Sequence, residues 1–232
     1  MISIICPFYN EKPNLEELVK RLGKAARGLE ESYEIIFVDD GSTDGGGEEL
    51  KNLISSQNAM RLVSLEKNGG LTGAFFAGFE KTRGEIIATL DSDLQNPPEE
   101  IPRLVNLLKT SGADIVTGIR ARRRDGWLKR LSSQIANGIR RAVTGDHMQD
   151  VGCSLRVFKR EVLRAFLPKP GMHRFFLTLA EAEGFKIEQV PVAHEPRRHG
   201  QSKYRLSNRL LGPLSDLFMV KWQLLRKPRC KT

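Results

Sequence analysis

The chain has 232 residues, of which 40% are hydrophobic and 28% charged, and its formal net charge is +9. Residues 1–117 hold 12 Lys+Arg and 19 Asp+Glu, whereas residues 118–232 hold 25 and 9, so an acidic half precedes a strongly basic one. This composition excludes a disordered, fibrous or low-complexity protein, and the charge asymmetry indicates a protein that handles anions. Three scattered cysteines without CxxC spacing predict free thiols rather than a disulfide framework or a zinc site.

The first half alternates short apolar runs with segments of helical periodicity. Predicted buried strands cover Ile2–Cys6, Glu34–Val38, Arg61–Leu65, Glu85–Leu90 and Asp114–Thr117. Between them, predicted helices cover Asn14–Leu29, Gly47–Ser56, Leu71–Thr82 and Pro98–Lys109. Strands that alternate with helices form βαβ units, so we expect a Rossmann-like α/β layer with a mostly parallel sheet up to residue 118.

The second half is less regular and is predicted to pack on the same sheet. It contains two predicted helices, Leu128–Val143 and Met172–Glu183, and two predicted strands, Ser154–Lys159 and Lys186–Val192. A basic, glycine-containing loop follows at Arg197–Lys203, and then an amphipathic helix at Leu206–Leu225 and a basic tail. We predict neither a signal peptide nor a membrane span.

Polar segments follow three of the predicted strands, at the position where open α/β sheets bind ligands. They are residues 7–11, 39–44 and 91–95, and each contains at least one carboxylate. Because parallel strands end at one edge of their sheet, we expect the three segments to meet there. This convergence is a stronger indication of a site than any single motif.

The third segment offers oxygen ligands on alternate residues, Asp91, Asp93 and Gln95, which suits Mg²⁺ or Mn²⁺. A cation there can neutralise the charge that develops on a phosphate leaving group. The alternative is a solvated turn in which Asp93 or Asn96 caps the helix that begins near Pro97. The position directly after a buried strand and beside a second acidic segment favours the metal site.

The second segment contains Asp39 and Asp40, and one of these carboxylates is hypothesised to accept hydrogen bonds from a base or ribose. The alternative is an Asx-turn before Gly41. Tyr9, in the first segment, can pack against a base or form a wall of the sheet. The glycine-rich stretch 68–73 matches neither phosphate-loop pattern, and it predicts a turn that enters a close-packed helix.

Six motifs together resemble a known family. They are CPFYNE at 6–11, VDDGSTDG at 38–45, NGGLTGAFFAGF at 68–79, DSDLQNPPEEIP at 91–102, VTGIR at 116–120 and RRHGQSKYR at 197–205. Their order and approximate spacing are similar to those of the family 2 glycosyltransferases of GT-A fold, in the branch of dolichyl/polyprenyl-phosphate sugar transferases typified by dolichol-phosphate mannosyltransferase. The resemblance covers residues 2 to about 225. It implies a GT-A domain over residues 1–205, with a nucleotide-sugar half at 1–118 and an acceptor half at 119–205, followed by an amphipathic helix and tail at 206–232.

The resemblance also implies roles for individual residues. Nucleoside recognition is assigned to Pro7, Tyr9, Glu11, Val38 and Asp40. The diphosphate and the metal are assigned to Asp91, Ser92, Asp93 and Gln95, with Asp93 and Gln95 as direct ligands. Basic positions that handle donor and acceptor phosphates, and are assigned to catalysis, are Arg120, Arg197 and Lys203; Arg197 and Lys203 are also assigned to nucleotide-sugar binding. An acidic position near the sugar is Asp150, and a segment near the acceptor is His173–Phe175.

The implied reaction moves a hexose from GDP-mannose or a UDP-sugar such as UDP-glucose to dolichyl or polyprenyl phosphate, with inversion. A phosphate monoester is already largely anionic at neutral pH, so it needs positioning and charge screening more than a general base. The alternatives are a family 2 transferase that acts on a saccharide hydroxyl, and a catalytically silent nucleotide-sugar-binding or membrane-scaffold protein. Nucleic acid is not expected as a partner, since no nucleic-acid-binding motif is present and the acidic half repels phosphate backbones.

The last predicted helix carries apolar residues on one face and precedes a basic tail, a pattern typical of helices on an anionic membrane surface. Many relatives continue into transmembrane helices, and none is predicted here. We therefore expect a cytoplasmic protein attached peripherally to the cytoplasmic face of the membrane, with room for a separate membrane partner subunit. The alternative is a helix packed on the domain with a solvated tail.

Overall fold

Seven strands form a single sheet in the computed structural model, which describes residues 1–120, 138, 140–197, 216–217 and 220–221. The strands are β1 (Ile2–Phe8), β2 (Tyr33–Asp39), β3 (Met60–Ser64), β4 (Ile86–Thr89), β5 (Ile115–Arg120), β6 (Arg156–Lys159) and β7 (Ile187–Val192). The helices are α1 (Lys12–Arg27), α2 (Gly46–Leu53), α3 (Gly70–Glu80), α4 (Ile101–Thr110) and α5 (Phe176–Ala182). Short 3₁₀ helices cover Pro98–Glu100, Arg160–Ala165 and Met172–Phe175.

The strand order is β3-β2-β1-β4-β6-β5-β7. The pairs β1/β2, β1/β4, β2/β3 and β5/β7 are parallel, whereas β6 runs antiparallel to both β4 and β5. Six of the seven described strands therefore run in one direction, which confirms the predicted mostly parallel sheet. The antiparallel insertion of β6 brings the segment before it to the edge at which β4 ends.

Two hydrophobic cores cover the two faces of the sheet. Alternation along β1 sends Ile4 into the core beneath α1, α2 and α4, and sends Ile5 into the core beneath α3 and α5. Strands buried on both faces explain the continuous apolar runs of the sequence. The prediction of helices on both faces is confirmed.

The glycine-rich stretch forms the predicted turn into a close-packed helix. A Cβ on Gly78 would lie 2.7 Å from Ile5 Cγ2 and 3.1 Å from Val38 Cγ2, so α3 sits against the sheet at a distance that only glycine allows. Gly70, the first residue of α3, has φ of 73°. The prediction at residues 68–73 is confirmed.

Several boundaries differ from the predictions. Strand β1 extends to Phe8 and β2 to Asp39, because backbone pairing continues beyond the apolar run. The predicted helix over Met172–Glu183 is a 3₁₀ turn followed by α5. Most of the predicted helix Leu128–Val143 lies outside the described residues. Of the residues that are described in this region, 140–144 are helical.

Most of the predicted carboxyl-terminal helix, Leu206–Leu225, also lies outside the described residues. Within it, Asp216, Leu217, Val220 and Lys221 are helical. Leu217 and Val220 are buried in the core beneath α3 and α5. This part of the helix packs on the domain.

Candidate active site

The three polar segments meet at the carboxyl edge of the sheet, as predicted. β1 lies between β2 and β4, and the Asp40 N–H donates to the carbonyl of Phe8 at 2.9 Å. On the other side of β1, the Leu90 N–H donates to the carbonyl of Ile5 at 3.2 Å. Backbone pairing thus aligns the ends of the three strands and places their polar extensions side by side.

The Asp91–Gln95 segment folds back on itself directly after β4. Leu94 has φ of 59°, a left-handed conformation that costs a non-glycine residue about 1 kcal/mol or more, and its side chain is buried in the core. This backbone lets the Gln95 N–H donate to Asp93 Oδ1 at 3.1 Å. The anchoring of a bulky side chain beneath the turn fixes where the polar groups on either side of it lie.

A hydroxyl supports this turn from below. Ser154 Oγ accepts hydrogen bonds from the Asp91 N–H and from Asn96 Nδ2, both at 3.1 Å. Ser154 precedes β6, so the antiparallel strand delivers it to the edge. Asn96 therefore anchors the turn to a neighbouring segment. The alternative was a solvated turn that caps the following helix, but no side chain caps the 3₁₀ helix Pro98–Glu100.

The two carboxylates of this turn lie in a poorly solvated place. Burial and the neighbouring Asp93 raise the pKa of Asp91 to about 6, although Ser154, Arg156 and Arg120 counteract the shift. The charged form of Asp91 is thus disfavoured, first by burial and then by repulsion from Asp93. A divalent cation would relieve this repulsion, so the donor set of Asp91, Asp93 and Gln95 fits Mg²⁺ or Mn²⁺.

Arg197 joins the third segment to the first. Its Nη2 donates to Asp93 Oδ2 at 2.7 Å, and its Nη1 lies 3.7 Å from Glu11 Oε1. Glu11 is buried, and its other carboxylate oxygen accepts from Asn14 Nδ2 at 2.6 Å. A predicted phosphate-binding arginine is therefore paired with carboxylates of the predicted metal and nucleoside segments.

Asp40 has a structural partner at the start of α3. Its Oδ1 accepts from the Gly69 N–H at 2.7 Å, so the carboxylate satisfies an orphan donor at a helix N-terminus. Burial raises the pKa of Asp40, although the backbone N–H groups of Gly69 and Gly70 counteract the shift. Asp39 also has a local partner, since its Oδ1 accepts from the Ser42 N–H, three residues on, at 2.8 Å, whereas an Asx-turn uses the N–H two residues on.

The other predicted nucleoside residues lie at or below the same edge. Pro7 and Val38 are register partners in β1 and β2. The Val38 side chain is fully buried beneath α3, so it faces the core, and only its backbone follows the edge. Tyr9 is half-buried just beyond β1, and Ser92 is buried within the turn.

Arg120 and Asp150 form a two-pronged ion pair. Arg120 Nε donates to Asp150 Oδ2 and Nη2 donates to Oδ1, both at 2.8 Å. The Gly152 N–H adds a donor to Oδ1 at 3.0 Å. This pairing sets the plane of the Arg120 guanidinium.

The profile of glycosyl transferase family 2 matches residues 3–167. This chain belongs to glycosyl transferase family 2. It is 40% identical over 218 residues to the undecaprenyl-phosphate 4-deoxy-4-formamido-L-arabinose transferase of Edwardsiella ictaluri, covering 93% of this chain and 66% of that relative. A Pseudomonas paraeruginosa protein of the same name is 41% identical, with 94% of this chain and 64% of the relative covered. The chain thus spans slightly less than two thirds of the length of these relatives, whose names agree with the predicted polyprenyl-phosphate branch.

Solved structures of other transferases share the fold of this family 2 member. A mannosyltransferase from Pyrobaculum calidifontis, in complex with GDP-Man and Mn²⁺, superposes with a TM-score of 0.70 at 21% identity, covering 99% of this chain and 65% of that one. Glucosyl-3-phosphoglycerate synthase from Mycobacterium tuberculosis superposes with a TM-score of 0.69 at 22% identity, covering 99% and 81%. The predicted GT-A fold class is confirmed.

Sequence reasoning missed Arg156, a cation buried beneath the site of this family 2 member. It donates to the carbonyls of Cys153 at 3.0 Å, Val151 at 2.8 Å and His173 at 3.4 Å. Burial lowers its pKa, and the charge of Asp91 acts against that shift. The one available signal was a single arginine inside an apolar strand pattern, which alone does not say what the arginine contacts.

His173, predicted to lie near the acceptor, contacts the helix that follows the glycine-rich turn. Its Nδ1 lies 2.7 Å from Thr72 Oγ1. Burial, with smaller contributions from Arg174 and Arg156, lowers the pKa of His173 to about 3, so the ring is neutral at physiological pH. Lys203, the remaining predicted phosphate-binding residue, lies outside the described residues.

A cleft of about 650 Å³ opens beside the second segment, at the ends of β2 and β3. Asp39, Ser42, Lys51 and Ser64 are among its lining residues. It lies on the β3 side of the edge, whereas the Asp91–Gln95 turn follows β4 on the other side of β1. The candidate active site is therefore defined by the chemistry of the Asp91–Gln95 turn, which we call the carboxylate turn, and not by this cleft.

Within the described ranges, no group of three His, Cys, Asp or Glu side chains is placed to hold a metal ion. The proposed set contains two carboxylates and an amide, which agrees with a cation that completes its shell with substrate oxygens. The helices of the described part of the chain are all too short or too polar to cross a membrane.

Proposed function

We propose that this chain transfers a sugar from a nucleotide diphosphate-sugar to a polyprenyl phosphate. The observation that carries the proposal is the edge where three strand ends meet, with the Asp91 and Asp93 carboxylates together and Arg197 between Asp93 and Glu11. This arrangement offers ligands for a cation on a diphosphate and a guanidinium for a second phosphate. The names of the relatives support a lipid phosphate of the undecaprenyl class as the acceptor.

Asp91, Asp93 and Gln95 would hold the Mg²⁺ or Mn²⁺ ion. When bound, the ion supplies positive charge to the departing diphosphate. Nucleoside contacts are assigned to Pro7, Tyr9, Glu11, Val38 and Asp40, with Ser92 near the diphosphate. Because Asp40 already accepts from Gly69, its part in nucleoside binding includes holding the start of α3.

In the proposed reaction, an oxygen of the acceptor phosphate bonds to the anomeric carbon as the bond from that carbon to the donor diphosphate breaks. A single displacement inverts the anomeric configuration. The acceptor is already anionic at neutral pH, so no proton needs to be removed from it. Arg120, Arg197 and Lys203 screen the two anions from each other, while Asp150 keeps Arg120 oriented through the two-pronged pair.

The test is transfer by the purified chain in the presence of Mn²⁺ and undecaprenyl phosphate. Donors are GDP-mannose, UDP-glucose and a nucleotide-activated 4-deoxy-4-formamido-L-arabinose, with lipid-linked sugar as the readout. Asp93→Asn is expected to reduce transfer at least about a hundredfold while the fold persists. Glu66→Gln, an exposed carboxylate change, serves as the matched control. Unchanged transfer by Asp93→Asn would contradict the proposal.

Transfer to a saccharide hydroxyl is the alternative reaction, and it requires a carboxylate that can act as a general base. In the structure, both oxygens of Asp150 already accept hydrogen bonds from Arg120, and Oδ1 also accepts from the Gly152 N–H, so this carboxylate is engaged in orienting Arg120 rather than placed to take a proton; this favours the phosphate acceptor. Lipid-free saccharide acceptors in the same assay separate the two reactions. Donor binding without turnover on any acceptor would support a silent binding protein instead.

We also propose peripheral attachment at the cytoplasmic face of the membrane through residues 206–232. Since Leu217 and Val220 pack on the domain, the membrane contact must use other parts of this segment, including the basic tail. Flotation with vesicles that contain anionic lipid and undecaprenyl phosphate tests this. Replacement of Arg226, Lys227, Arg229 and Lys231 by Gln is expected to weaken binding, and equal flotation would contradict attachment through the tail. No flotation of the original chain would show that peripheral attachment is wrong or depends on a partner subunit.

A further inference from the structure

Residues 193–197, which we call the strap, run from the end of β7 to the carboxylate turn. Within the strap, the Glu195 N–H donates to the Gln95 carbonyl at 2.8 Å. Two residues later, Arg197 reaches Asp93 Oδ2 at 2.7 Å. The strap thus touches the turn through its backbone and again through a side chain. Its position decides where the Arg197 guanidinium lies.

The strap is fixed from the opposite side by Arg21, which lies on α1. Arg21 Nη1 and Nη2 donate to the two carboxylate oxygens of Glu195 at 3.2 and 2.9 Å. The same guanidinium donates from Nε and Nη2 to the two oxygens of Glu99 at 2.9 and 2.7 Å. The Arg21 side chain is only 12% exposed, whereas Glu99 is 44% and Glu195 33% exposed, so the guanidinium is shielded while solvent still reaches the two carboxylates.

Glu99 belongs to the 3₁₀ helix that follows the carboxylate turn, and Glu195 belongs to the strap. Arg21 therefore ties together the two segments whose relative position sets the Arg197–Asp93 pair. A lysine cannot reproduce this geometry, because an ammonium lacks the planar fork that binds two carboxylates at once. None of these four hydrogen bonds is to Asp93, so Arg21 reaches Arg197 through Glu195 and the strap, and the 3₁₀ helix through Glu99.

We infer that Arg21 is a positioning residue, which through Glu195 and the strap holds Arg197 where it can receive the donor diphosphate. This inference rests on the proposed function. It predicts that loss of Arg21 weakens nucleotide binding even though Arg21 touches neither the nucleotide nor a metal ligand. It also predicts that the loss has no effect once Arg197 is gone.

The experiment is a double-mutant cycle on the full chain, with UDP and GDP titrated calorimetrically at saturating Mn²⁺. Arg21→Gln is expected to weaken binding of the nucleotide that the chain prefers by about tenfold, as for other residues that orient a ligand-binding group. Arg21→Lys is expected to recover only part of this loss. In the Arg197→Gln background, Arg21→Gln is expected to produce no further loss. Arg27→Gln, on the same helix, is the control.

Glu195→Gln weakens the same Arg21–Glu195 ion pair from the side of the strap. It tests the inference if Arg21→Gln fails to fold. Unchanged affinity in a folded Glu195→Gln or Arg21→Gln variant would overturn the inference. Additive losses in the double variant would also overturn it, because they would show a general structural effect instead of action through Arg197. If Asp93→Asn abolishes transfer while the Arg21 cycle shows no coupling, the proposed function stands and only this inference falls.

Discussion

Both carboxylate oxygens of Asp93 are engaged, Oδ1 by the Gln95 N–H and Oδ2 by Arg197. A cation that binds Oδ2 would therefore compete with the guanidinium for that oxygen. In the proposed function, the donor diphosphate gives Arg197 a new anionic partner, whereas the metal ion alone does not. Metal and nucleotide are thus expected to bind as a coupled pair.

Arg197→Gln separates these two effects. The variant is expected to bind Mn²⁺ alone about tenfold more tightly, since a charge-assisted hydrogen bond no longer competes for Asp93. The same variant is expected to bind nucleotide more weakly at saturating Mn²⁺. Electron paramagnetic resonance of free Mn²⁺ measures the first effect and calorimetry the second. Weaker binding of Mn²⁺ alone would show that Arg197 does not compete with the ion.

His173 makes stability depend on pH. Its folded pKa of about 3 lies below the unfolded value near 6.5, so the unfolded chain binds more protons between these values. Its contribution to stability is therefore complete above pH 6.5 and falls as the pH decreases towards 3. Between pH 7 and 5 the loss is about 2 kcal/mol from this group.

The control for this effect is His173→Gln, which keeps a polar partner for Thr72 and does not titrate. Urea denaturation at pH 7 and at pH 5 compares the two proteins. The original chain is expected to lose more stability than the variant on acidification. Equal losses would show that the His173 ring is accessible to protons in the folded state.

At the scale of elements, α3 connects the sheet to the site. Its start is held by Asp40, its Thr72 contacts His173, and its middle presses on β1 and β2 through Gly78. A displacement of this helix away from the sheet would move both Asp40, predicted to recognise the nucleoside, and His173, predicted to lie near the acceptor. The tight packing at Gly78 therefore affects the position of these two site residues as well as the stability of the core.

Two glycines of α3 allow a matched test of that packing. A Cβ at Gly78 meets Ile5 and Val38, so Gly78→Ala is expected to destabilise the protein by about 1–3 kcal/mol. A Cβ at Gly73 meets nothing within 4 Å, so Gly73→Ala is expected to stabilise it by up to about 1 kcal/mol through helix propensity. Chemical denaturation measures both. Loss of stability in both variants would contradict this account.

The sequence predicted the seven strands, the four helices of residues 1–118 and the three polar segments, because apolar periodicity and the rule for parallel strand ends are local signals. It did not predict Arg156 beneath the site or the four hydrogen bonds of Arg21. These depend on which strands pair and on contacts between residues as far apart as 21 and 195. Asp40 shows the same limit, since its partner Gly69 lies 29 residues away.

At the scale of the whole molecule, β6 joins two parts that the chain separates. β4 and β5 are neighbours in sequence order, yet β6 lies between them and pairs with both. The predicted division at residue 118 therefore falls on a sheet that is incomplete without residues 156–159. The division into a nucleotide-sugar half and an acceptor half stays a functional prediction.

A fragment of residues 1–118 tests this interdependence. Without β6, the apolar edge of β4 is exposed and β5 has no partner, so the fragment is expected to lack a cooperative unfolding transition and to bind a hydrophobic dye. Circular dichroism and dye fluorescence provide the measurements, with the full chain as the control. A cooperative transition in the fragment would show that the amino-terminal half folds alone.

Two buried thiols lie next to the site. Cys6 lies in β1 and Cys153 beside Asn96, and burial raises the pKa of both thiols, that of Cys153 to about 11. Thiolates are the reactive form and both side chains are buried, so both cysteines are expected to resist alkylation in the folded protein. With Cys230 replaced by Ser, the rate of modification would report local unfolding of this edge, and a bound nucleotide that stabilises the edge is expected to slow the labelling.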